Sequence, residues 1–366
     1  MTDDQEPEFA TLHEVVAAAR GRLEPPIWDY LTGGGGTETT LARNRLALDR
    51  LALRPRVLRN VRGVDAGTSV FGRPIALPVA LAPVGSVDSF DSGGLATVAA
   101  AADRCGVPIF CGGLAPEGAE TVAAGTSGPK IYQAYLRGDD PRLDELVERV
   151  AALGYDAFCI TVDAAHPGRR ERDIARRFVK PWVGAGAHLL DQPTLSWSDV
   201  EHYRARHQLP LILKGIATAE DAVLAVEHGV DVVYVSNHGG RQLDHGRGAL
   251  DVLPEVVAAV SGRSQVWVDG GVNRGTDVVK ALALGADLVG IGRIYLYGLA
   301  AAGQVGVETV LQLLAAEVRE ALALCGVTSP RDLGPAFVTT AEAVRPVHVL
   351  SAFPLLAPAL DSDPTV

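Results

Sequence analysis

PVALAPV (78–84), VPIFCGG (107–113), KIYQAYL (130–136), AFCITVD (157–163), PLILKGI (210–216), DVVYVSNH (231–238), QVWVDGG (265–271) and LVGIGR (288–293) repeat one phrase: a short run rich in Val and Ile that ends in polar residues or glycine. Continuous apolar character suits strands buried on both faces, as in an all-parallel sheet covered by helices. Between the runs lie amphipathic patterns such as PRLDELVERVAALG (141–154), AEDAVLAVEHG (219–229) and TDVVKALALG (276–285). Each ends in a glycine of the kind that caps a helix. Strand and helix alternating in this number predict an α/β fold, the TIM (β/α)8 barrel. The competing open doubly wound sheet needs a topological switch point, and the order of units offers none.

Outward from the barrel (78–335), residues 1–77 read as an N-terminal helical segment, with helices at 11–22 and 38–50, that closes the barrel bottom or leans over its rim. GGGG (33–36) reads as a turn, because no GxGxxG follows a strand anywhere. The fourth connection (164–209) is the long one. Its GAGAHLLDQPT (184–194) reads as a loop, and 179–197 as a shortened lid over an active site. GVETVLQLLAAEVREALALCG (306–326) reads as a last helix, 336–366 as a C-terminal extension, and the final ten residues as frayed.

With 366 residues, 48% of them apolar, and a mean hydropathy of +0.16, the chain has material for a full core, which excludes a disordered or fibrous protein. Lys and Arg total 33 against 44 Asp and Glu, a net charge of −11 that repels a phosphate backbone, so no nucleic-acid partner is expected. MTDDQEPEFA (1–10) lacks a secretory pattern and no uninterrupted apolar run is long enough to span a bilayer, so a cytoplasmic protein with no membrane partner is expected. Cys105, Cys111, Cys159 and Cys325 are scattered, without C-x-x-C or metal-ligand spacing, and read as reduced core thiols with no metal.

A barrel does its chemistry at the C-terminal ends of its strands. Those ends carry Pro83-Val84-Gly85, Gly112-Gly113, Gln133 with Tyr135, Thr161 with Asp163, Lys214, Ser236-Asn237-His238, Asp269-Gly270-Gly271 and Gly292-Arg293. A lone Asp or Thr there reads as a helix N-cap. That explanation does not cover a lysine leaving a buried strand, or a His, an Asp and a Tyr converging from three strands. DGGVNRG (269–275) and GIGR (290–293) fall where barrels often bind phosphate through backbone N–H groups and an arginine. In SNHGGRQLD (236–244), His238 and Arg241 are spaced to place an imidazole base and a carboxylate-gripping guanidinium in one pocket. Asp163 is placed to fix the imidazole tautomer.

WDYLTGG, TLARNRLAL, LRPRVL (53–58), YQAY (132–135), TVDAAHPGRRERD (161–173), LPLILKGI (209–216), SNHGGRQLD and DGGVNRGTDVVKALALGA (269–286) together resemble the FMN-dependent 2-hydroxy acid oxidases and dehydrogenases, over roughly residues 25–335. That group includes glycolate, lactate and hydroxymandelate oxidases and mandelate dehydrogenase. The resemblance implies FMN as cofactor and oxidation of an (S)-2-hydroxy acid to the 2-oxo acid. It further implies that Tyr30 and Arg241 hold the substrate carboxylate with Arg170 assisting, that Tyr135 bonds the hydroxyl, and that His238 is the base with Asp163 its partner. Lys214 would stabilise charge at flavin N1 and O2. Backbone at Pro83, Val84 and Gly85 would line the N5 edge, with Gly112 nearby and Gln133, Thr161 and Ser236 on ring heteroatoms. Asp269, Gly270, Gly271, Asn273, Gly292 and Arg293 would cradle ribityl and phosphate. A homo-oligomer, tetramer or octamer, is implied as well.

Departures from the pattern modify the expectation. Asn273 stands where an arginine is usual, leaving Arg274 and Arg293 near the phosphate; Ile294 replaces a proline; DSFDSGGLA (88–96) replaces HPEGE; the fourth connection is short. The short connection argues for a soluble enzyme, and the absence of a heme domain before the barrel favours O2 as acceptor, with H2O2 as product. A reduced lid with Gly112 and Gly113 predicts room for a bulky, mandelate-like substrate. The alternatives are a soluble dehydrogenase using another acceptor and, in a different class, an aldolase forming a Schiff base at Lys214.

Overall fold

The computed structural model describes residues 9–115, 118–179 and 192–356. Eight parallel strands close into a barrel: β1 (Val79–Leu81), β2 (Ile109–Gly112), β3 (Lys130–Ala134), β4 (Ala157–Thr161), β5 (Leu211–Ile216), β6 (Val232–Val235), β7 (Gln265–Val268) and β8 (Leu288–Ile291). Val289 of β8 pairs with Val79 of β1 to complete the ring. Each strand coincides with one of the apolar runs, because both faces are buried and neither can alternate with polar residues. The expected TIM barrel is therefore the fold.

Helices follow their strands around the outside, and three stop one or two residues short of the glycine that was read as their end: Leu143–Ala152, Ala219–Glu227 and Gly275–Ala283. Gly154, Gly229 and Gly285 take positive φ, the left-handed geometry that ends the helix without a Cβ penalty. The helical stretch Arg293–Cys325 is two helices meeting at a kink at Ala302 and Gly303, and the second of them is the last helix read at 306–326. Taken whole, it is, among the described residues, the one helical stretch long and apolar enough to cross a membrane. Half of its most apolar stretch is buried within the fold, as in a core helix.

The N-terminal segment serves both ends of the barrel. At the bottom, strands Thr68–Val70 and Arg73–Ile75 form a hairpin whose Phe71 packs 5.7 Å from Trp267 in the barrel interior. At the top, helices Pro25–Thr32 and Thr39–Asp49 reach the C-terminal strand ends. The first of these was not expected; Pro25 and Pro26 occupy its first turn, where a missing N–H costs nothing. Strand Leu51–Leu53 pairs antiparallel with Val338–Thr340, tying the C-terminal extension to this segment. Most of the expected lid, 180–191, and the last ten residues lie outside the described residues.

One buried ion pair locks the N-terminal segment to the barrel. Arg45 donates to both oxygens of Asp277, at 2.6 and 2.8 Å, with the two side chains 4% and 2% exposed. Burial alone would push the Asp277 carboxyl up, but the Arg45 guanidinium and the Asn273 backbone N–H hold it below its ordinary value. Removing one partner strands the other charge in the interior. Asp277→Ala is therefore expected to lower unfolding free energy by about 3–5 kcal/mol in denaturant titration; a loss under about 1 kcal/mol would contradict this account.

Candidate active site

The chain shapes the top of the barrel by breaking its own regularity at two places. Between β5 and β6 the register slips around Lys214 and Ile216, and Gly215 adopts φ +118°. A Cβ there would sit 2.8 Å from that of Asp163, so the bulge makes room for the carboxylate while re-aiming Lys214. After β6, His238, Gly239 and Gly240 all take φ between +60° and +76°. For a histidine this backbone costs about 1–2 kcal/mol. It is held by the His238 N–H donating to Ser236 Oγ at 3.1 Å and by Asn237 capping Gly240 N at 3.0 Å.

These distortions bring together the groups expected to do chemistry. His238 Nδ1 lies 3.0 Å from Asp163 Oδ1, and Nε2 lies 3.2 Å from the Tyr135 hydroxyl. Burial pushes the Asp163 carboxyl up, but the His238 ring and the Lys214 ammonium outweigh it and leave the group ionised, below its usual range. An ionised Asp163 is placed to accept from Nδ1–H, an arrangement that turns Nε2 toward Tyr135. Burial raises the Tyr135 phenol, so it remains a neutral donor.

Arg241 is half-buried with an unusual set of partners. Its Nη1 donates to the carbonyls of Tyr30 at 2.7 Å and Gly33 at 3.0 Å, and its Cζ lies 4.9 Å over the Tyr30 ring. Among the described residues no carboxylate forms an ion pair with Arg241 or Arg170, and the buried Arg170 Nε has no partner. Burial first, then the like charge of Arg170, pushes the Arg241 guanidinium down to about 9. The Asp173 carboxylate acts on Arg241 from beyond ion-pair distance and offsets only part of this; two guanidinium groups with no carboxylate in direct contact form a socket for an anion.

A second network forms the floor. Lys214 Nζ donates to Ser236 Oγ at 2.9 Å and pairs with Asp269 at 3.1 Å, while Ser236 Oγ donates to Asp269 at 2.6 Å. Burial disfavours the Lys214 ammonium, but Asp269 and Asp163 overcome it and raise the group above its ordinary value. A lysine held this way between two carboxylates lacks the lowered pKa that a Schiff-base amine uses, which disfavours the aldolase reading.

The cleft over this floor encloses about 1410 Å³ including its open mouth. Of the expected cofactor residues, Pro83, Val84, Gly85, Lys214, Asp269, Gly270, Gly271, Asn273, Gly292 and Arg293 line it. Gly112, Gln133, Thr161 and Ser236 stand behind that lining, with Gln133 Nε2 donating to Thr161 Oγ1 at 2.9 Å. Gly113 does not open the pocket as expected: a Cβ there would meet the Gln133 carbonyl at 2.6 Å, so close packing selects the glycine. Arg274 is not near a phosphate site either. Its guanidinium is bound to Glu317, away from the cleft. Arg293 stays at the cleft, but its nitrogens donate to the carbonyls of Leu31, Gly33 and Gly239.

Residues not anticipated complete the wall. Asn44 exchanges two amide hydrogen bonds with Asn237, at 2.8 and 2.7 Å, and backs Gly270 and Gly271, whose φ values are +115° and +80°. Arg45 reaches the Gly271 carbonyl at 3.1 Å. Gln242 Nε2 fixes the Asp163 carbonyl at 2.9 Å. Asn44 and Arg45 lie inside TLARNRLAL, and Gln242 inside SNHGGRQLD, so the motifs held them although no role was read from them.

The residues present suit a flavin mononucleotide. Glycines with left-handed backbone expose their amides, an ammonium lies at the floor, and a Cβ on Gly292 would meet no protein atom within 4 Å, so that side of the cleft is left open. A model of the family described as FMN-dependent dehydrogenase matches residues 19–191 and 183–340. The chain belongs to this family. It is 42% identical over 342 residues to 4-hydroxymandelate oxidase of Amycolatopsis orientalis, covering 88% of this chain and 96% of the relative. It is 40% identical over 358 residues to L-lactate oxidase of Nostoc sp., covering 89% and 97%. A crystal structure of mandelate oxidase with (S)-2-phenylpropionate superimposes with a TM-score of 0.85 at 43% identity, over 92% of this chain and all of that one. The protein is thus an FMN-dependent 2-hydroxy acid oxidase.

The open space beside Gly292 is the expected place of the cofactor. Gly292→Leu is expected to yield folded protein with unchanged far-UV circular dichroism and little or no visible flavin absorbance. Full flavin content in that variant would place the cofactor elsewhere.

Proposed function

We propose that this oxidase acts on a 2-hydroxy acid with an aromatic or similarly bulky side chain, that His238 is its base, and that dioxygen receives the electrons to give hydrogen peroxide. The single observation that carries the reading is the half-buried Arg241–Arg170 socket with no carboxylate in ion-pair contact, set beside the Tyr135–His238–Asp163 relay. A substrate carboxylate supplies the missing counter-charge, with Arg241 and Arg170 donating to it and the Tyr30 ring fixing the plane of Arg241. The carboxylate so held directs the adjacent carbon and its hydroxyl toward Tyr135 and His238. His238 Nε2 takes up a proton from the substrate, and Asp163 stabilises the imidazolium that results. Tyr135, neutral and buried, donates to the substrate oxygen. Held by Gly270, Gly271 and Gly292 with Lys214 at the floor, FMN would supply the two-electron acceptor, and the net change is 2-hydroxy acid and O2 to 2-oxo acid and H2O2.

Support for an aromatic substrate comes from rings at the cleft, not from the glycines of β2. Phe90 lines the cleft and stacks on Tyr30, with centroids 6.2 Å apart and planes 9° apart. Phe178 packs on Tyr30 at 5.3 Å. Leu31 and Leu114 add apolar wall. A phenyl group gains from such surroundings, whereas glycolate leaves them without a partner. Two of the relatives point the same way, being a 4-hydroxymandelate oxidase and a mandelate oxidase.

Anaerobic mixing with glycolate, lactate and (S)-mandelate, followed by air, tests the whole reading. Mandelate is expected to bleach the flavin fastest, and air to restore the colour with one H2O2 formed per substrate. His238→Asn is expected to remain yellow and bleach about 10²–10⁴-fold more slowly. Preference for glycolate would refute the aromatic assignment, and wild-type bleaching in the variant would refute the base.

A further inference from the structure

Below the cleft floor, Tyr234 of β6 turns its side chain into the barrel interior, fully buried, with Phe110 and Trp267 each 6.0 Å away between ring centroids. Two features separate it from ordinary core packing. Its hydroxyl oxygen has no hydrogen-bond partner within the protein, a condition that costs about 1–3 kcal/mol for a buried donor. The space it occupies is made by a glycine: a Cβ on Gly290 would overlap the hydroxyl and lie 3.1 Å from the Asp269 Cβ. An apolar side chain at 234 with a larger residue at 290 would fill the same volume without a polar atom. The chain instead places a phenol beneath the one ammonium of the floor, with Lys214 Nζ 5.4 Å from the ring centroid.

We propose that Tyr234 is a positioning residue for Lys214. Its ring face lies under the ammonium and its hydroxyl beside Asp269, which holds the Lys214–Ser236–Asp269 network with positive charge presented to the cleft floor. Cation and ring attract one another over this distance. Burial, reinforced by the Asp269 carboxylate, keeps the phenol well above its ordinary value, so the group is always a neutral O–H beside an anion. Lying beside that carboxylate without a formed hydrogen bond, the O–H dipole offsets part of the Asp269 charge and leaves more of the Lys214 charge uncompensated. Charge at this place tunes a bound flavin. The inference rests on the proposed placement of Lys214 next to the FMN ring.

Sulfite provides a readout that does not require turnover. It adds to flavin N5 and leaves negative charge on the pyrimidine side of the ring, so its affinity reports nearby positive charge. In Tyr234→Phe the ring remains and only the hydroxyl is lost. Flavin content and thermal midpoint are expected to be retained, while the dissociation constant for sulfite, followed by loss of visible absorbance, rises about three- to tenfold. The flavin midpoint potential is expected to fall with it. Gly290→Ala, which displaces the hydroxyl without altering the tyrosine, is expected to weaken sulfite binding in the same direction and to add nothing in the Tyr234→Phe background. Lys214→Met sets the scale with a much larger loss. Unchanged sulfite affinity in Tyr234→Phe, alongside a large loss in Lys214→Met, overturns the positioning role. Unchanged affinity in Lys214→Met overturns the placement of Lys214 itself, and this inference with it.

Discussion

A guanidinium set into the cleft wall with no carboxylate in ion-pair contact is the constraint around which the top of this barrel is organised. Arg241 sits beside Arg170, and its protein partners are two backbone carbonyls and the face of Tyr30. Dipoles offset only part of the cost of taking a cation out of water. The remainder is an unmet demand for an anion, which the carboxylate of the proposed substrate meets. It also explains why the N-terminal segment must reach the rim. The carbonyls of Leu31 and Gly33 bind Arg293, and those of Tyr30 and Gly33 bind Arg241, so one helix end holds two of the cations of the site. Arg172 and Arg176 fasten the same helix through Asp29, and Arg172 also pairs with Glu38 at the start of the next helix.

Two acid–base pairs lie within this frame, and their surroundings give them different work. His238 and Asp163 stand at the edge of the cleft, with side chains 19% and 13% exposed, where a proton can arrive and leave. Lys214 and Asp269 stand deeper, at 5% and 10%, joined through Ser236, where charge is fixed and not exchanged. Ser236 contacts both, donating to Asp269 and accepting from the His238 backbone N–H. A small shift of that hydroxyl would disturb base and floor together, which is a reason for the rigid, left-handed turn that follows it.

The barrel was legible because strands buried on both faces leave unbroken apolar runs, and helix ends leave glycines. His238, Asp163, Tyr135, Arg241 and Lys214 were legible because they follow those runs directly. What escaped was decided by partners far along the chain. Arg274 looked free for a phosphate until the fold brought Glu317, 43 residues later, against it. Gly113 looked like open space, yet it answers to the backbone of the neighbouring strand. Asn44 and Arg45 sit in a helix whose face toward the site is set only when that helix docks on the barrel rim. Tyr234 and Gly290 occupy separate apolar runs and reveal their relation only when β6 and β8 close around one interior.

The paired-arginine socket is tested most directly by removing charge from the substrate and leaving its shape. Steady-state rates for (S)-mandelate and its methyl ester, measured under one set of conditions, isolate that charge. An enzyme that relies on these guanidinium groups loses about 10²–10⁴-fold in kcat/KM with the ester, as expected when a charged group of the site is left unpaired. Comparable kcat/KM for acid and ester would contradict the account.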